Sequence, residues 1–196
     1  DGWEILIHCN ASRAEADALA ARIGRGTVVQ ADLAGEDPCS PLRVALTRMP
    51  PPGLLVNNAS RFELDDFDDF TVEGWEQHFD ANLRGPALLT RMFAELAPEG
   101  GLVVNLLDAK LAHPNADFFT YTLSKMGLAG LTELSARKLA GQRIRVCGIA
   151  PSVTLVSGPQ SRANFDAVHP MNALARGIDI SDIVRTLRFL IATPTI

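Results

Sequence analysis

Five short apolar runs alternate along this chain with longer helix-forming segments, and this alternation limits the possible folds more than any other feature. The runs are predicted as strands, and they cover Trp3–Cys9, Thr27–Gln30, Leu54–Asn57, Leu102–Leu107 and Ile144–Ile149. They are continuously apolar, which is typical of strands whose two faces are both covered by helices. Repeated strand–helix units favour a parallel sheet. The sequence therefore predicts a single α/β domain over residues 1–196, built on a doubly wound, mostly parallel sheet.

Five helices are predicted between and after these strands. They cover Arg13–Ile23, Pro41–Arg48, a long segment from Thr71 to about Leu96, Phe118–Leu139, and a last segment from Asp179 to about Ile191. Thr71 and Asp179 are predicted as N-caps, because their side-chain oxygens can accept from the free N–H groups of a first helical turn. Gly24 follows the first helix and is predicted as its C-cap, not as part of a phosphate-binding loop.

Composition and charge exclude several classes of protein. The 196 residues are 47% hydrophobic and 21% charged, which suits one globular domain with a full core. A net charge of −5 argues against nucleic acid or an anionic membrane as a partner. No apolar run approaches the roughly 18 residues of a membrane span, and no signal peptide opens the sequence. Three widely spaced cysteines, Cys9, Cys39 and Cys147, indicate reduced thiols and a cytoplasmic protein.

Tyr121 and Lys125 are the main candidates for chemistry. They lie four residues apart in a predicted helix, so their side chains share one face. An ammonium beside a phenol favours the phenolate, which would lower the pKa of Tyr121 from its usual value of about 10. The tyrosine would then be a proton donor suited to neutral pH. The alternative is a chance pair on a solvated helix face.

Three further features accompany this pair in a fixed order. Leu54–Asn57 leads into Asn58-Ala59-Ser60, Asn82 lies in a long helical segment, and Ile144–Ile149 leads into Ala150-Pro151. Together with the Tyr-x-x-x-Lys pair they resemble the short-chain dehydrogenase/reductase family over nearly the whole chain. The resemblance implies a Rossmann-like fold, a nicotinamide cofactor and an oxidoreductase activity.

The resemblance also gives an expectation for the two ends. The family normally opens with a strand, a glycine-rich turn and a helix that together hold the cofactor pyrophosphate, and it usually adds a short closing strand. The sequence from Asp1 to Ile196 contains neither segment. Either the protein lacks them, or they lie outside this sequence.

Asp108 narrows the resemblance. Most family members carry a serine about 13 residues before the tyrosine, whereas this sequence has Asp108 there. An Asp–Tyr–Lys trio resembles the pteridine reductases and dihydromonapterin reductase-like members. A carboxylate beside a phenol either accepts a hydrogen bond or, with a raised pKa, acts as a second acid. The alternative is an acidic residue in a solvated loop.

Phe62 also favours a resemblance to the pteridine reductases. In pteridine reductases the aromatic residue at this position stacks on the pterin, and a flat heteroaromatic ring is well held by an aromatic face. The resemblance thus implies that Phe62, Asp108, Tyr121 and Leu155 contact the substrate. The alternative is that Phe62 packs under its loop with neighbouring aromatic residues, Phe67 and Phe70.

Residues near two other strand ends are predicted to bind the cofactor. Asn10, Ser12 and Arg13 follow the first strand without a carboxylate until Glu15, which favours a 2′-phosphate and hence NADP(H). The resemblance implies further cofactor contacts from seven positions besides Tyr121 and Lys125. These are Asp32, Leu33, Asn58, Ala59, Ser60, Pro151 and Val153, of which Asp32 and Leu33 would contact the adenine.

Asn82 and Pro86 are predicted to act together. A proline in a helix cannot donate to the carbonyl four residues earlier, which in an α-helix belongs to Asn82. The resemblance implies that this carbonyl holds a water linked to Lys125, which returns a proton to Tyr121. The alternative is a kink made for packing alone.

The remaining polar segments are assigned structural roles. The acidic run of Asp65, Asp66, Asp68 and Asp69 is predicted to be solvated, and it lacks the spacing of a calcium loop. His8 and His78 are predicted to be structural, and His113 and His169 lack the nucleophile elbow of a hydrolase. Residues 155–167 are predicted to form an irregular lid. No metal is expected.

The sequence predicts an NADPH-dependent reductase that transfers hydride to a C=N or C=O bond of a dihydropterin-type substrate. Two alternatives remain open at this point: a carbonyl or 3-oxoacyl reductase or alcohol dehydrogenase on the same scaffold, and a non-catalytic NADP(H)-binding protein. The resemblance also implies a homotetramer, packed through the long helices around Asn82 and Tyr121.

Overall fold

The structure is a computed structural model, and it describes residues 2–157, 160–172 and 174–196. Within these ranges the elements follow the order β1 Ile5–Cys9, α1 Arg13–Ile23, β2 Gly26–Gln30, α2 Cys39–Leu46, β3 Leu54–Asn57, α3 Val72–Phe79, α4 Gly85–Leu96, β4 Gly101–Leu106, α5 Phe119–Leu139, β5 Ile144–Ile149, α6 Arg162–Val168 and α7 Ile180–Ala192. All five predicted strands and all five predicted helical segments are present, with bounds that differ by up to two residues. The helix α6 was not predicted.

All strand pairs are parallel, as predicted, but they form two sheets. One sheet pairs β1 with β2, and the other has the order β3-β4-β5. In the described part of the chain no ladder joins β1 to β3. The two sheets share one hydrophobic cluster instead: Leu6 and Val29 of the first and Leu55 of the second pack against buried Leu42, Leu89 and Met92. Burial of apolar side chains, not backbone hydrogen bonding, therefore connects them.

Helices cover both faces of the three-stranded sheet. Buried Val103 of β4 packs on one face in a cluster with Phe93 of α4 and Leu139 of α5. Its neighbours Leu102 and Val104 point to the other face, where they join a cluster with α7. This two-sided burial explains why the strands read as continuous apolar runs.

The predicted helix ends are confirmed. Thr71 Oγ1 accepts from Gly74 N at 3.0 Å at the start of α3. Asp179 forms a capping box with Asp182 at the start of α7. Gly24 ends α1 in the left-handed conformation, with φ of +68°, and its N–H donates to Ala20 O.

The long helix predicted after Thr71 contains a π-helical turn over Asp80–Arg84, between α3 and α4. The Gly85 N–H donates to Asp80 O, five residues earlier, and Pro86 is buried at the start of α4. A π turn inserts one extra residue and re-aims the side chains within it. Counting four residues back from Pro86 assumed α-helical spacing, so the free carbonyl at Asn82 stays a prediction.

None of the helices in the described ranges is both long and apolar enough to cross a bilayer.

Candidate active site

Three of the predicted catalytic side chains meet at the carboxyl end of β4. Tyr121, in the first turn of α5, donates from Oη to Asp108 Oδ2 at 2.7 Å. Lys125 lies one turn further along α5, and its Nζ donates to the carbonyl of Leu106 at 2.8 Å. The same Nζ is 5.7 Å from the centroid of the Tyr121 ring. The 13-residue spacing from Asp108 to Tyr121 therefore brings an acid, a phenol and an amine together.

The Asp108 carboxylate is held by its own loop. It lies before the short 3₁₀ helix Ala109–Ala112, and its Oδ1 accepts from Lys110 N at 2.8 Å. Ala109 N donates to Pro151 O at 2.9 Å, which ties this loop to the segment after β5. With one oxygen fixed by the backbone, the other oxygen of Asp108 is directed at Tyr121. A freely solvated carboxylate, the alternative reading of Asp108, is not what the structure shows.

The electrostatics of Tyr121 differ from the prediction. Burial raises the pKa of Tyr121 well above its usual value, and the nearby charge and hydrogen bond of Asp108 raise it further. Burial also lowers the pKa of Lys125 to about 8, although Asp108 opposes this shift. The expected lowering of the Tyr121 pKa by Lys125 is therefore wrong for this structure, because burial and the adjacent Asp108 carboxylate both disfavour a phenolate. Tyr121 carries its proton at neutral pH.

Phe62 lies directly beside the tyrosine. Its ring is edge-on to Tyr121, with centroids 4.7 Å apart, and is stacked on Phe118 at 4.3 Å. Phe118 precedes α5 with φ of +54°, a conformation that bulky residues rarely adopt. Such strain is concentrated at functional sites and at tightly packed junctions. The aromatic surface next to Tyr121 is thus built from two rings on two different segments.

The alternative packing of Phe62, with Phe67 and Phe70, is not the one observed. Phe67 and Phe70 instead pack against Phe119, with ring centroids 5.5 and 5.7 Å apart. Phe62 is 41% exposed, so part of its ring can be reached by a small molecule.

Asn82 connects three elements through its side chain. Its Oδ1 accepts from Arg61 N at 2.8 Å and from Ser60 Oγ at 3.1 Å. Its Nδ2 donates to Arg61 O and to Ser124 Oγ, each at 3.0 Å. Asn82 therefore holds the loop after β3 against α5, a role that follows from its side chain and not from the predicted free carbonyl.

Sequence reasoning missed a second connection between the same elements. Buried His78 contacts Thr120 Oγ1 through Nδ1 at 2.7 Å and Glu63 N through Nε2 at 3.2 Å. Asp65 accepts from both the N–H and the hydroxyl of Thr120. The prediction that Asp65 is solvated with the rest of its acidic run is therefore wrong. The available signal was spacing: His78 lies four residues before Asn82, and Thr120 lies four before Ser124.

The residues predicted to bind the cofactor phosphate and adenine lie near the ends of β1 and β2. Asn10 and Ser12 are exposed, and the Ser12 side chain makes no capping bond to α1. Arg13 pairs with Asp17 at 2.9 Å on the surface, where such pairs are weak. Asp32 is exposed, but the Leu33 side chain is buried in the core, so only its backbone could contact an adenine.

The remaining predicted residues flank the site. Asn58, Ala59 and Ser60 are exposed on the loop after β3. Val153 and Leu155 are exposed after β5, Leu155 at 62%. Leu155 is not among the described residues that hydrogen-bond to Tyr121 or place a ring or amine against it.

The predicted lid over residues 155–167 is only partly irregular. Its second half belongs to α6, which begins after Ser161 and packs Phe165 against His169 at 4.6 Å. Gly158 and Pro159 lie outside the described residues.

Comparisons with known proteins agree with the resemblance found in the sequence. The family model described as Enoyl-(Acyl carrier protein) reductase matches residues 1–194. A 3-oxoacyl-[acyl-carrier-protein] reductase of Synechocystis sp. is 26% identical, over 98% of this chain and 81% of that protein. Two crystal structures of FolM Alternative dihydrofolate reductase 1 with NADP, from Brucella canis and Brucella suis, superpose with a TM-score of 0.93. Each is 37% identical and covers 100% of this chain, and this chain covers 80% and 81% of theirs.

Proposed function

This chain belongs to the short-chain dehydrogenase/reductase family of NAD(P)-dependent oxidoreductases, and on that premise we propose that it is an NADPH-dependent reductase of a dihydropterin-type substrate. The observation that carries the proposal is the 2.7 Å hydrogen bond from Tyr121 Oη to Asp108 Oδ2, beside the ring of Phe62. It combines a proton donor, a carboxylate and an aromatic face at one point. The likeness to structures of FolM Alternative dihydrofolate reductase 1 supports the same substrate class.

Each residue has a chemical role in this proposal. Tyr121 holds a proton on Oη at neutral pH and delivers it to the substrate atom next to the carbon that receives hydride. Asp108 orients that hydroxyl through its hydrogen bond. Phe62 holds a flat substrate by its ring face. Proton and hydride together reduce one C=N or C=O bond.

The residues present fit the cofactor that this reaction needs. When bound, NADPH supplies the hydride. At the start of α1, Ser12 offers a hydroxyl without a capping partner, and Arg13 offers a guanidinium that pairs with Asp17 at the surface; such donors suit a phosphate. Lys125 would hold the ribose, and Pro151 and Val153 would line the nicotinamide. Asn82 would link Lys125 to solvent for return of the proton.

Substrate turnover tests this proposal. Purified protein with NADPH should reduce dihydrobiopterin with a higher kcat/KM than simple ketones or 3-oxoacyl thioesters. A preference for ketones or thioesters would instead support the carbonyl-reductase alternative and leave Asp108 and Phe62 without a substrate role. Tight NADPH binding with no turnover of any of these compounds would support a non-catalytic protein.

We also propose that the protein is a homotetramer that works in the cytoplasm. A concave surface of about 590 Å³ lies between α4 and α5, and exposed Leu134 is among its lining residues. Cys9, Cys39 and Cys147 are free thiols, which suits a reducing compartment.

A further inference from the structure

We propose that His78 is a positioning residue, which fixes the loop that carries Phe62 and so sets the face on which the flat substrate stacks. The inference rests on the proposed function for its substrate, but its geometry is independent of that function. His78 makes only an edge-on ring contact with Tyr121, with centroids 6.3 Å apart, and no hydrogen bond to it. It acts through Glu63, the residue that follows Phe62.

The hydrogen bonds of His78 have one consistent direction. The Glu63 N–H can only donate, so Nε2 must accept and carries no proton. The Thr120 hydroxyl donates to Asp65 Oδ2, so it accepts from His78 Nδ1–H. His78 is therefore a neutral imidazole protonated at Nδ1. In this series of hydrogen bonds, which runs from Glu63 N through His78 and Thr120 to the Asp65 carboxylate, every polar atom has a partner.

His78 and Asn82 form two parallel connections to α5. His78 reaches Thr120, and Asn82 reaches Ser124 at 3.0 Å. Since Thr120 and Ser124 directly precede Tyr121 and Lys125, the two structural contacts have the same spacing as the Tyr–Lys pair.

The two connections also hold the loop on both sides of Phe62. Asn82 bonds to the backbone of Arg61, and His78 bonds to the backbone of Glu63. The residues on both sides of Phe62 are thereby held, and this fixes the position of its ring relative to Tyr121. If the His78 contact is lost, the loop stays anchored at Arg61 and at Asp65, and the residues between them gain freedom to shift.

Protonation of His78 would release the loop. A proton on Nε2 would face the Glu63 N–H, and two donors repel each other. Burial lowers the pKa of His78 from its ordinary value, and the charge of Arg61 lowers it further. The charges of Asp65 and Glu63 act in the opposite direction. The contact therefore holds at neutral and alkaline pH, and the substrate KM should rise only in acid.

Two variants distinguish the roles of the two ring nitrogen atoms of His78. In His78→Asn the amide can still donate to Thr120, but it lacks an acceptor at the Nε2 position. In His78→Gln the longer side chain restores an acceptor for Glu63 N–H. His78→Asn should raise the KM for dihydrobiopterin on the order of fivefold, as expected for one lost hydrogen bond. NADPH binding should not weaken, and His78→Gln should recover most of the KM.

A double-variant cycle distinguishes positioning from general destabilisation. Without the Phe62 ring, the orientation of the loop no longer matters for stacking. In a Phe62→Ala background, His78→Asn should therefore cause no further rise in KM. An equal rise with and without Phe62 would overturn the proposal, as would equal effects of His78→Asn and His78→Gln.

Hydrogen exchange separates this proposal from the proposed function. Peptides that contain the Glu63 amide should exchange faster in His78→Asn than in wild type, and His78→Gln should restore protection. This measurement needs no substrate, so it remains decisive even if dihydrobiopterin is not turned over and the proposed function fails. Unchanged exchange in His78→Asn would show that Nε2 does not hold the loop.

Discussion

At the residue scale, burial and the adjacent Asp108 carboxylate together raise the pKa of Tyr121. A carboxylate in hydrogen-bond contact with a phenol opposes its ionisation, which a serine hydroxyl would not do to the same extent. Tyr121 therefore stays protonated to a higher pH than a free tyrosine would, so it is present in the form that can donate a proton. The consequence can be measured directly, because Tyr121 is the one tyrosine in the sequence.

The substitution Asp108→Asn should lower the pKa of Tyr121. It removes the charge that raises this pKa while preserving the size of the side chain. Absorbance of the phenolate against pH would report the change. In wild type, no phenolate should form near pH 10, where free tyrosine ionises. A phenolate that appears at the same pH in both proteins would contradict the role given to Asp108.

Replacing Tyr121 by Phe should lower kcat by about 10²–10⁴-fold, the range of general acid catalysis. The ring contacts with Phe62 are retained, so the fold and NADPH binding should survive. Steady-state kinetics and NADPH titration would check both. Near-normal turnover would remove Tyr121 from the reaction.

The lowered pKa of Lys125 predicts that kcat/KM for NADPH depends on pH. Its pKa of about 8 means that the amine is charged below that pH and loses its charge above it. If a charged Lys125 holds the ribose, kcat/KM for NADPH should fall as the pH rises through about 8. The variant Lys125→Arg keeps its charge at higher pH. It should lack this fall, and a fall at the same pH in both proteins would contradict the assignment.

Much of the site could be predicted from the sequence, because its residues follow a spacing. The contact of Asp108 with Tyr121 follows from the 13-residue separation across the end of β4. The direction of the Tyr121 pKa was missed, since burial and charge depend on three-dimensional surroundings. The contacts of Asp65 and His78 with Thr120 were missed because they join side chains 55 and 42 residues apart.

At the element scale, α3 and the π turn that follows it hold the loop that carries Phe62 against α5. The spacing of His78 and Asn82 on this segment determines which loop residues they reach, so the start of α3 matters for the site. That start depends on one side chain, since Thr71 Oγ1 accepts from Gly74 N at 3.0 Å.

The variant Thr71→Ala should destabilise the protein by about 1 kcal/mol, the usual cost of a lost N-cap. Thr71→Ser keeps the hydroxyl and serves as the matched control. Chemical denaturation of the three proteins would measure the free energy of unfolding. If Thr71→Ala and Thr71→Ser were equally stable, the cap would contribute nothing.

The elements that the sequence did not predict have physical reasons. The π turn covers only the five residues Asp80–Arg84, too few for the sequence pattern to distinguish its periodicity from that of an α-helix. The seven residues of α6 are too few for a clear apolar period, although its N-cap is visible in hindsight, since Ser161 Oγ accepts from Asn164 N at 3.1 Å. The division into two sheets depends on backbone pairing, which hydropathy does not report.

At the scale of the whole molecule, α4 and α5 face two ways. Their inner sides cover the three-stranded sheet, while their outer sides form the concave surface that contains Leu134 and Glu95. Leu134 is 69% exposed at this surface. The proposed tetramer would bury it.

Substituting Leu134 by Glu should therefore break the tetramer. The substitution replaces an apolar side chain with a charged one at the proposed subunit contact. Taking that carboxylate out of water would oppose assembly even though Arg91 and Lys138 also line the surface. The matched control is Val44→Glu on α2, because Val44 is also exposed, at 58%, but does not line this surface. Light scattering should show a smaller particle for Leu134→Glu alone. Equal masses for both variants and wild type would exclude this face as the subunit contact.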